Sequence, residues 1–207
     1  MNEKEFKKAI DYYRSLIDKE MANEKVIDGK FVGPKKLTKK DKIDLEDIIH
    51  PDRPFLSKDA PEDLDSLYVT TFRVGNLKKP EVLTKAGYGT DVIGGIEFGS
   101  NLVKTGLIGS VDDIAPFLAK YKIGILDLFR EEEVEDGEKL DIRVYECIDC
   151  AGMPNIGEPV CYFETGMLIG ILSEITGKEV FAEELRCWTS GYSCCQFIVN
   201  LKETENE

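Results

Sequence analysis

Histidine is almost absent from this sequence, since His50 is the single one among 207 residues. This scarcity excludes a metal site built from several histidines, and it makes Ser-His or Cys-His catalysis depend on one residue in a loop-like segment. The chain also lacks any run of about eighteen apolar residues that would span a membrane. Its first residues do not have the pattern of a signal peptide. We therefore expect a soluble, cytoplasmic protein.

Positive charge is also scarce. Lys and Arg number 27 against 40 Asp and Glu, which gives a net charge of −13. The only basic cluster, residues 35–40, is too local to form a nucleic-acid or membrane footprint, so neither is an expected partner. No Gly-Lys-Ser/Thr or GxGxxG pattern is present, so the glycines between Tyr88 and Leu107 do not predict a phosphate loop.

The hydrophobic fraction of 42% is enough for one buried core with an additional arm. Apolar residues at spacings of three and four predict an amphipathic helix from Asn2 to Asn23. The polar segment 24–61, called the arm below, is interrupted by Gly and Pro and predicts one helical turn at residues 42–49. We divide the chain into an N-terminal helix and arm (1–60), a main domain (61–202) and a tail (203–207).

The main domain is predicted to mix helices with antiparallel strands, which makes the fold class α+β. Ser66 to Val74 is rich in β-branched and aromatic residues and predicts a strand. The apolar stretch from Glu158 predicts a helix that begins at Pro159 and ends at Gly177. The other expected elements are helices at 81–87, 88–107 and 110–121, the latter after a capping box, and strand pairs at 124–130/139–146 and 180–187/194–199.

All six cysteines lie at or after Cys147, a placement that favours thiols and metal over disulfides. The predicted C-terminal hairpin carries Glu184, Cys187 and Cys195, and the helix before it carries Cys161. Glu184 and Cys187 would point to opposite faces of a regular strand, so shared ligation requires a bulge between them. Three thiolates and one carboxylate suit a closed, structural zinc site.

Cys147 and Cys150 form a CxxC pair, which is half of an alternative zinc site completed by Cys187 and Cys195. A thioredoxin-like redox role is not expected, because that motif belongs at the strand-to-helix turn of a βαβ unit. The third interpretation is that the cysteines are small buried hydrophobes without metal. Spacing alone leaves these alternatives open.

The stretch Gly157-Glu158-Pro159-Val160-Cys161, the pattern Glu184-x-x-Cys187 and Cys195-x-Phe197 together resemble the 4-vinyl reductase domain. That family includes archaeal hydrocarbon-binding proteins and the sensors of phenol- and xylene-responsive activators. The resemblance is most specific from Tyr145 to Val199, extends back to Leu67 and does not include the first sixty residues.

The resemblance implies zinc bound by Cys161, Glu184, Cys187 and Cys195. It also implies a fold similar to the haem-nitric-oxide-binding and vesicle-tethering component folds, which commonly dimerise. A mostly apolar pocket for a small hydrophobic or aromatic molecule is implied as well. The candidate pocket residues are Tyr88, Phe98, Phe117, Tyr121, Tyr162 and Phe163.

The first functional hypothesis is therefore a zinc-stabilised, homodimeric domain that binds a small hydrophobic ligand as a sensor or carrier, without chemistry of its own. The second is an enzyme or accessory factor in tetrapyrrole or cofactor metabolism, which would need an electron source that the motifs do not supply. The third is an assembly or tethering adaptor that uses the N-terminal helix and the arm to contact a separate protein partner.

Overall fold

The computed structural model describes residues 1–58, 62–77, 84–135 and 137–203. Its helices and strands, in chain order, are α1 (Glu3–Ala22), β1 (Lys25–Ile27), β2 (Lys30–Val32), α2 (Leu45–Ile49), α3 (Glu62–Leu77), α4 (Thr84–Lys104), α5 (Ile114–Lys120), β3 (Ile125–Val134), β4 (Gly137–Tyr145), α6 (Tyr162–Thr176), β5 (Glu179–Arg186) and β6 (Cys195–Lys202). No helix of the described residues is long and apolar enough to cross a membrane.

The central feature is a four-stranded antiparallel sheet with the order β3-β4-β6-β5. Both strand pairs expected from the sequence are present, and the structure adds the pairing of β4 with β6 that joins them into one sheet. Side chains alternate between its two faces, as the strand period of two requires. The α+β prediction is confirmed.

One face of the sheet forms the main core with α6 and α5. Strand β6 contributes Cys195, Phe197, Val199 and Leu201, all buried, and these pack against apolar residues of α6 such as Met167 and Leu168. The metal-binding candidates lie at one end of this same core, so the core packing fixes their positions.

The opposite face is covered by α1. Its residues Ala9, Tyr13 and Ile17 are buried against the sheet, and Tyr13 stacks on Tyr145 with the ring centroids 4.8 Å apart. The Tyr13 hydroxyl donates to buried Glu146, which also accepts from the backbone N–H groups of Phe55 and Leu56. The end of β4 is thereby tied to both α1 and the arm.

Two short strands in the arm were not predicted. β1 and β2 pair across Asp28 and Gly29, whose φ values are 51° and 75°. Asp-Gly is a strong signal for a two-residue hairpin turn, because both of its central positions need positive φ. That dipeptide could have identified the hairpin. The expected helical turn at 42–49 is present as α2.

The strand predicted at Ser66 to Val74 is wrong, since these residues lie inside helix α3. The buried positions of the helix are Asp65, Val69 and Arg73. They follow a helical spacing of four residues, but two of the three are charged. The hydrophobic pattern therefore concealed the periodicity, and the β-branched and aromatic content was misleading.

The apolar stretch 88–107 is helical as expected and forms most of α4. It is buried along one side only, since Ile93 is 69% exposed whereas Gly95 and Gly99 are buried. The predicted short helix at 81–87 falls partly on residues 78–83, which lie outside the described residues, and its last four residues begin α4.

Helices α4 and α6 are in backbone contact at glycines. A Cβ atom at Gly95 would overlap the carbonyl oxygen of Phe163, and one at Gly170 would overlap that of Ile96. Gly99 and Gly166 meet the facing backbone in the same way. Each helix thus carries a small-xxx-small pair, the spacing that lets two helix backbones approach closely.

Two helix starts differ from prediction. Helix α6 begins at Tyr162, with Cys161 in the N-cap position, so Pro159 precedes it and is not its first residue. The segment 110–121 divides into a 3-10 turn, Val111–Asp113, followed by α5. Pro116 lies in the first turn of α5, where a missing N–H breaks no helical hydrogen bond. The stop at Gly177 is confirmed, with φ of 68°.

Candidate metal centre and apolar cleft

Five of the six cysteines meet at one buried point. The Sγ atom of Cys161 lies 3.4–3.7 Å from four other sulfur atoms, those of Cys147, Cys150, Cys187 and Cys195. The sulfur atoms of Cys150 and Cys195 are 3.2 Å apart. All five side chains are fully buried. We call this group the thiol cluster.

The topology of the sheet explains the convergence. Cys187 follows β5, and Cys195 opens β6, where it pairs with Val144 near the end of β4. Because β4 ends beside Cys195, the loop that follows it, residues 146–153, brings Cys147 and Cys150 to the same place. Cys161 reaches the cluster from the N-terminus of α6.

The bulge that the sequence required is present. The pairing of β5 with β6 shifts in register between Glu184 and Arg186. The extra residue in the strand allows Glu184 and Cys187 to point to the same side. The backbone N–H of Cys161 donates to Glu184 Oε2 over 3.0 Å, which links the helix to the hairpin directly.

Two buried carboxyl groups face the thiol cluster. Glu184 Oε1 and Glu164 Oε2 make no hydrogen bond within the described residues. Burial raises the pKa of both carboxyl groups well above the ordinary value, and it also raises the pKa of the thiols of Cys150, Cys161 and Cys195. A bound cation reverses this effect, because it favours thiolate and carboxylate ligands over their protonated forms.

Glu164 was missed in the sequence analysis. It lies three residues after Cys161 on α6, a spacing that places both on one helix face. The thiol of Cys147 donates to Glu164 Oε1 over 3.5 Å. That spacing was the signal that could have identified it.

The geometry suits tetrahedral zinc. Zn–S bonds near 2.3 Å place the sulfur atoms of a tetrahedral site about 3.8 Å apart. The distances of 3.4–3.7 Å around Cys161 lie within a few tenths of an ångström of that value. Two sets of four have all ligand atoms within 4.8 Å of one another: Cys161, Glu184, Cys187 and Cys195, and Cys147, Cys150, Cys161 and Cys195.

The two sets share Cys161 and Cys195. The predicted family-like set is therefore brought together. The CxxC pair is also brought to the same point, but in a set with Cys161 rather than with Cys187. Cys194 lies outside the thiol cluster, because its side chain is buried under α1 on the opposite face of the sheet. This difference between Cys194 and Cys195 follows the predicted period of two.

Two buried cations hold the loop that carries the CxxC pair. Arg73 donates to the carbonyl oxygens of Ile148 and Ala151 over 2.8 and 2.6 Å. Lys36 donates to the carbonyl of Met153, and its Nζ lies 3.7 Å from the centre of the Trp188 ring. The positive charges of α3 and the arm thus lie beside the most thiol-rich part of the chain.

The six predicted pocket aromatics do not form one cavity. Tyr88 stacks on Tyr162, and Phe98 packs against Phe163, between α4 and α6. Phe117 and Tyr121 form a separate pair on α5. None of the six lines either of the two cavities that are described next.

An apolar cleft lies between the start of α1, the arm and α5. One cavity of about 550 Å³ is lined by Phe6, Phe55, Leu56, Pro116 and Ala119, with Lys120 and Lys122 among its other walls. A second cavity of about 190 Å³ also has Phe6 as a wall and reaches the sheet and α6 through Leu126, Ile142 and Leu172. The cleft therefore extends from a cationic edge toward the main core.

Comparison with known sequences identifies the C-terminal half. The family model of the 4-vinyl reductase (vinyl-4-reductase) domain matches residues 140–201. The uncharacterized protein MJ1642 of Methanocaldococcus jannaschii is 34% identical over 112 residues, which cover 53% of this chain and 66% of that protein. MJ0150 of the same organism is 32% identical over 174 residues, which cover 81% of this chain and 92% of that protein.

Two solved structures match most of the chain. A vinyl-4-reductase family protein from Methanocaldococcus jannaschii matches with a TM-score of 0.42 and 18% identity, over 77% of this chain and 92% of that one. The phenol-responsive sensory domain of the transcription activator PoxR, determined with phenol, matches with a TM-score of 0.45 and 15% identity, over 94% of this chain and 92% of that one.

Proposed function

Because the chain belongs to the 4-vinyl reductase domain family, we propose that it is a zinc-stabilised domain that binds a small hydrophobic molecule, as a sensor or carrier. The observation that carries this proposal is the apolar cleft between α1 and α5. Its larger cavity, of about 550 Å³, is within the usual size range of small-molecule sites, about 300–1,000 Å³.

The cleft walls define the class of ligand. Aromatic and aliphatic side chains dominate the walls, and two lysines stand at one edge. A small aromatic or alkyl body would be buried against Phe6 and Phe55, and an anionic or hydroxyl group would be placed near Lys120 and Lys122. The ligand site proposed here thus differs from the six aromatics chosen from the sequence.

The zinc in this proposal is held by Cys161, Glu184, Cys187 and Cys195. Four protein ligands leave no open position, so the ion would act structurally. It would fasten the β5–β6 hairpin to the N-terminus of α6. The buried, unpartnered Oε1 atom of Glu184 supports this assignment. Homodimerisation stays a prediction that no described contact tests.

Ala119→Trp is expected to abolish ligand binding, because the added ring would occupy the larger cavity. A panel of alkylbenzenes, phenols and medium-chain carboxylic acids would be screened by thermal unfolding. A ligand at one hundred times its Kd stabilises the native state by about 2.7 kcal/mol. For a chain of this size that raises Tm by about 5–11 °C, and the variant should lose the shift.

Ala22→Trp is the matched control, since Ala22 is an exposed residue at the end of α1 and outside the cleft walls. It should retain the shift of the unmodified chain. If no member of the panel shifts Tm, or if Ala119→Trp responds as strongly as Ala22→Trp, the cleft is not the ligand site.

Cys187→Ser is expected to remove the zinc that fastens the hairpin. Metal content measured by mass spectrometry should fall by one ion per chain, and the variant should lose about 2.7 kcal/mol of stability if free zinc stands at one hundred times Kd. Cys194→Ser removes a buried thiol outside the thiol cluster and should retain the metal. Equal metal content in both variants would contradict the assignment.

A further inference from the structure

We propose that the thiol cluster holds two zinc ions, the second one bound by Cys147, Cys150, Cys161 and Cys195. This inference rests on the proposed function for the first ion, held by Cys161, Glu184, Cys187 and Cys195. The two ions share Cys161 and Cys195 as bridging thiolates, because a thiolate sulfur keeps lone pairs for a second cation after it has bound the first.

The positions of the sulfur atoms support a second site. Cys150 lies 3.4 Å from Cys161 and 3.2 Å from Cys195, and Cys147 lies 3.6 Å from Cys161. All four ligand atoms of this set are within 4.8 Å of one another and fully buried. A single tetrahedral ion has four ligand positions, so it leaves the CxxC pair without a role as ligand.

A buried carboxylate provides an independent indication. Glu164 is fully buried, accepts a hydrogen bond from Cys147 and makes no hydrogen bond through Oε2 within the described residues. A carboxylate in such a place is costly without a compensating charge. A cation bound between Cys147 and Cys161 would supply that charge next to Glu164.

Charge accounting favours filling both positions. Three thiolates and one carboxylate exceed the charge of one Zn²⁺ by two units. Five thiolates and one carboxylate carry six negative charges, which exceed the four positive charges of two Zn²⁺ by the same two units. The second ion with the two CxxC thiolates therefore adds no net charge to the buried site. Arg73 and Lys36, which hold the surrounding loop, compensate the excess.

The test is metal stoichiometry on the full chain, prepared under reducing conditions. Native mass spectrometry should find two Zn²⁺ per chain in the unmodified protein and in Cys194→Ser. Cys147→Ser and Cys150→Ser should each retain one, and Cys187→Ser should lose the ion that fastens the hairpin. Two ions in the unmodified chain that persist in both CxxC variants would overturn the proposal.

The outcomes separate this inference from the proposed function. One ion per chain, lost in Cys187→Ser and unaffected by Cys147→Ser, overturns the second site and leaves the first intact. One ion lost in Cys147→Ser and retained in Cys187→Ser overturns the shared arrangement and the first site together. Ligand binding in the cleft is measured separately and depends on neither result.

Titration of the metal-free chain with Co²⁺ covers the case in which a variant fails to fold. Thiolate-to-cobalt absorption should rise over two equivalents in the unmodified chain, and the visible bands should change as the second equivalent converts terminal thiolates into bridging ones. Saturation at one equivalent, with no later spectral change, would overturn the second site without any substitution.

Discussion

Gly95→Leu should destabilise the protein by more than about 4 kcal/mol, because the new side chain would have to occupy space filled by the backbone of α6. Overpacked cores usually lose about 1–3 kcal/mol, since neighbouring side chains move aside. Here the neighbours are the carbonyl oxygen of Phe163 and the backbone nitrogen of Met167, which cannot rotate away. The measurement is the free energy of unfolding in urea.

Gly94→Leu is the matched control for this prediction. Gly94 lies on the same helix, one residue away, and has no atom near its hypothetical Cβ. Replacing an exposed helical glycine by leucine should raise helix propensity, with a gain of up to about 1 kcal/mol. Similar unfolding free energies for the two variants would show that α4 and α6 do not approach closely.

The same glycine contact is relevant to the metal centre. Gly166 and Gly170 lie in α6, whose N-cap is Cys161. A displaced α6 would move Cys161 away from the hairpin that carries Cys187 and Cys195. Gly95→Leu should therefore also weaken metal binding, although Gly95 touches none of the ligands.

The sequence predicted close approach at these glycines, and it predicted most elements of the main domain. It failed at α3, where the buried face includes Asp65 and Arg73. Hydrophobic periodicity reports apolar burial, so it cannot identify a helix that buries ion-pairing and hydrogen-bonding groups. These charges are buried because Arg53 contacts Asp65 and because main-chain carbonyls accept from Arg73.

The hairpin part of the metal site could be predicted because its residues are local in sequence. The Glu184 and Cys187 spacing required a bulge, and the register shift is present. The position of the CxxC pair depends instead on the pairing of Val144 with Cys195. Two predicted hairpins do not by themselves specify which of their strands meet, so the sequence left the choice of ligand set open.

The cleft could not be predicted for a related reason. Its walls come from α1, the arm and α5, which are distant in sequence and are placed by packing against the sheet. Aromatic residues were chosen from the main domain because ligand sites are often aromatic. Four of those six, including Tyr88 and Tyr162, instead pack between α4 and α6.

Arg73→Met should cost about 3–5 kcal/mol, as expected when one partner of a buried charged interaction is removed. Arg73 is fully buried and donates to the carbonyl oxygens of Ile48, Ile148 and Ala151. Methionine has a comparable apolar stem but donates no hydrogen bond, so buried carbonyl groups would lose their partner. The measurement is again the free energy of unfolding in urea.

Arg130→Met provides the control, because the Arg130 side chain is 61% exposed and its ion pair with Glu132 lies at the surface. Its stability should remain within about 0.5 kcal/mol of the unmodified protein. Arg73→Met should also loosen the loop that carries Cys147 and Cys150, so it should lower the affinity for the second zinc ion more than for the first. If Arg73→Met is as stable as Arg130→Met, the buried guanidinium does not hold this loop in place, and the charge compensation proposed for the two-metal site would need another source.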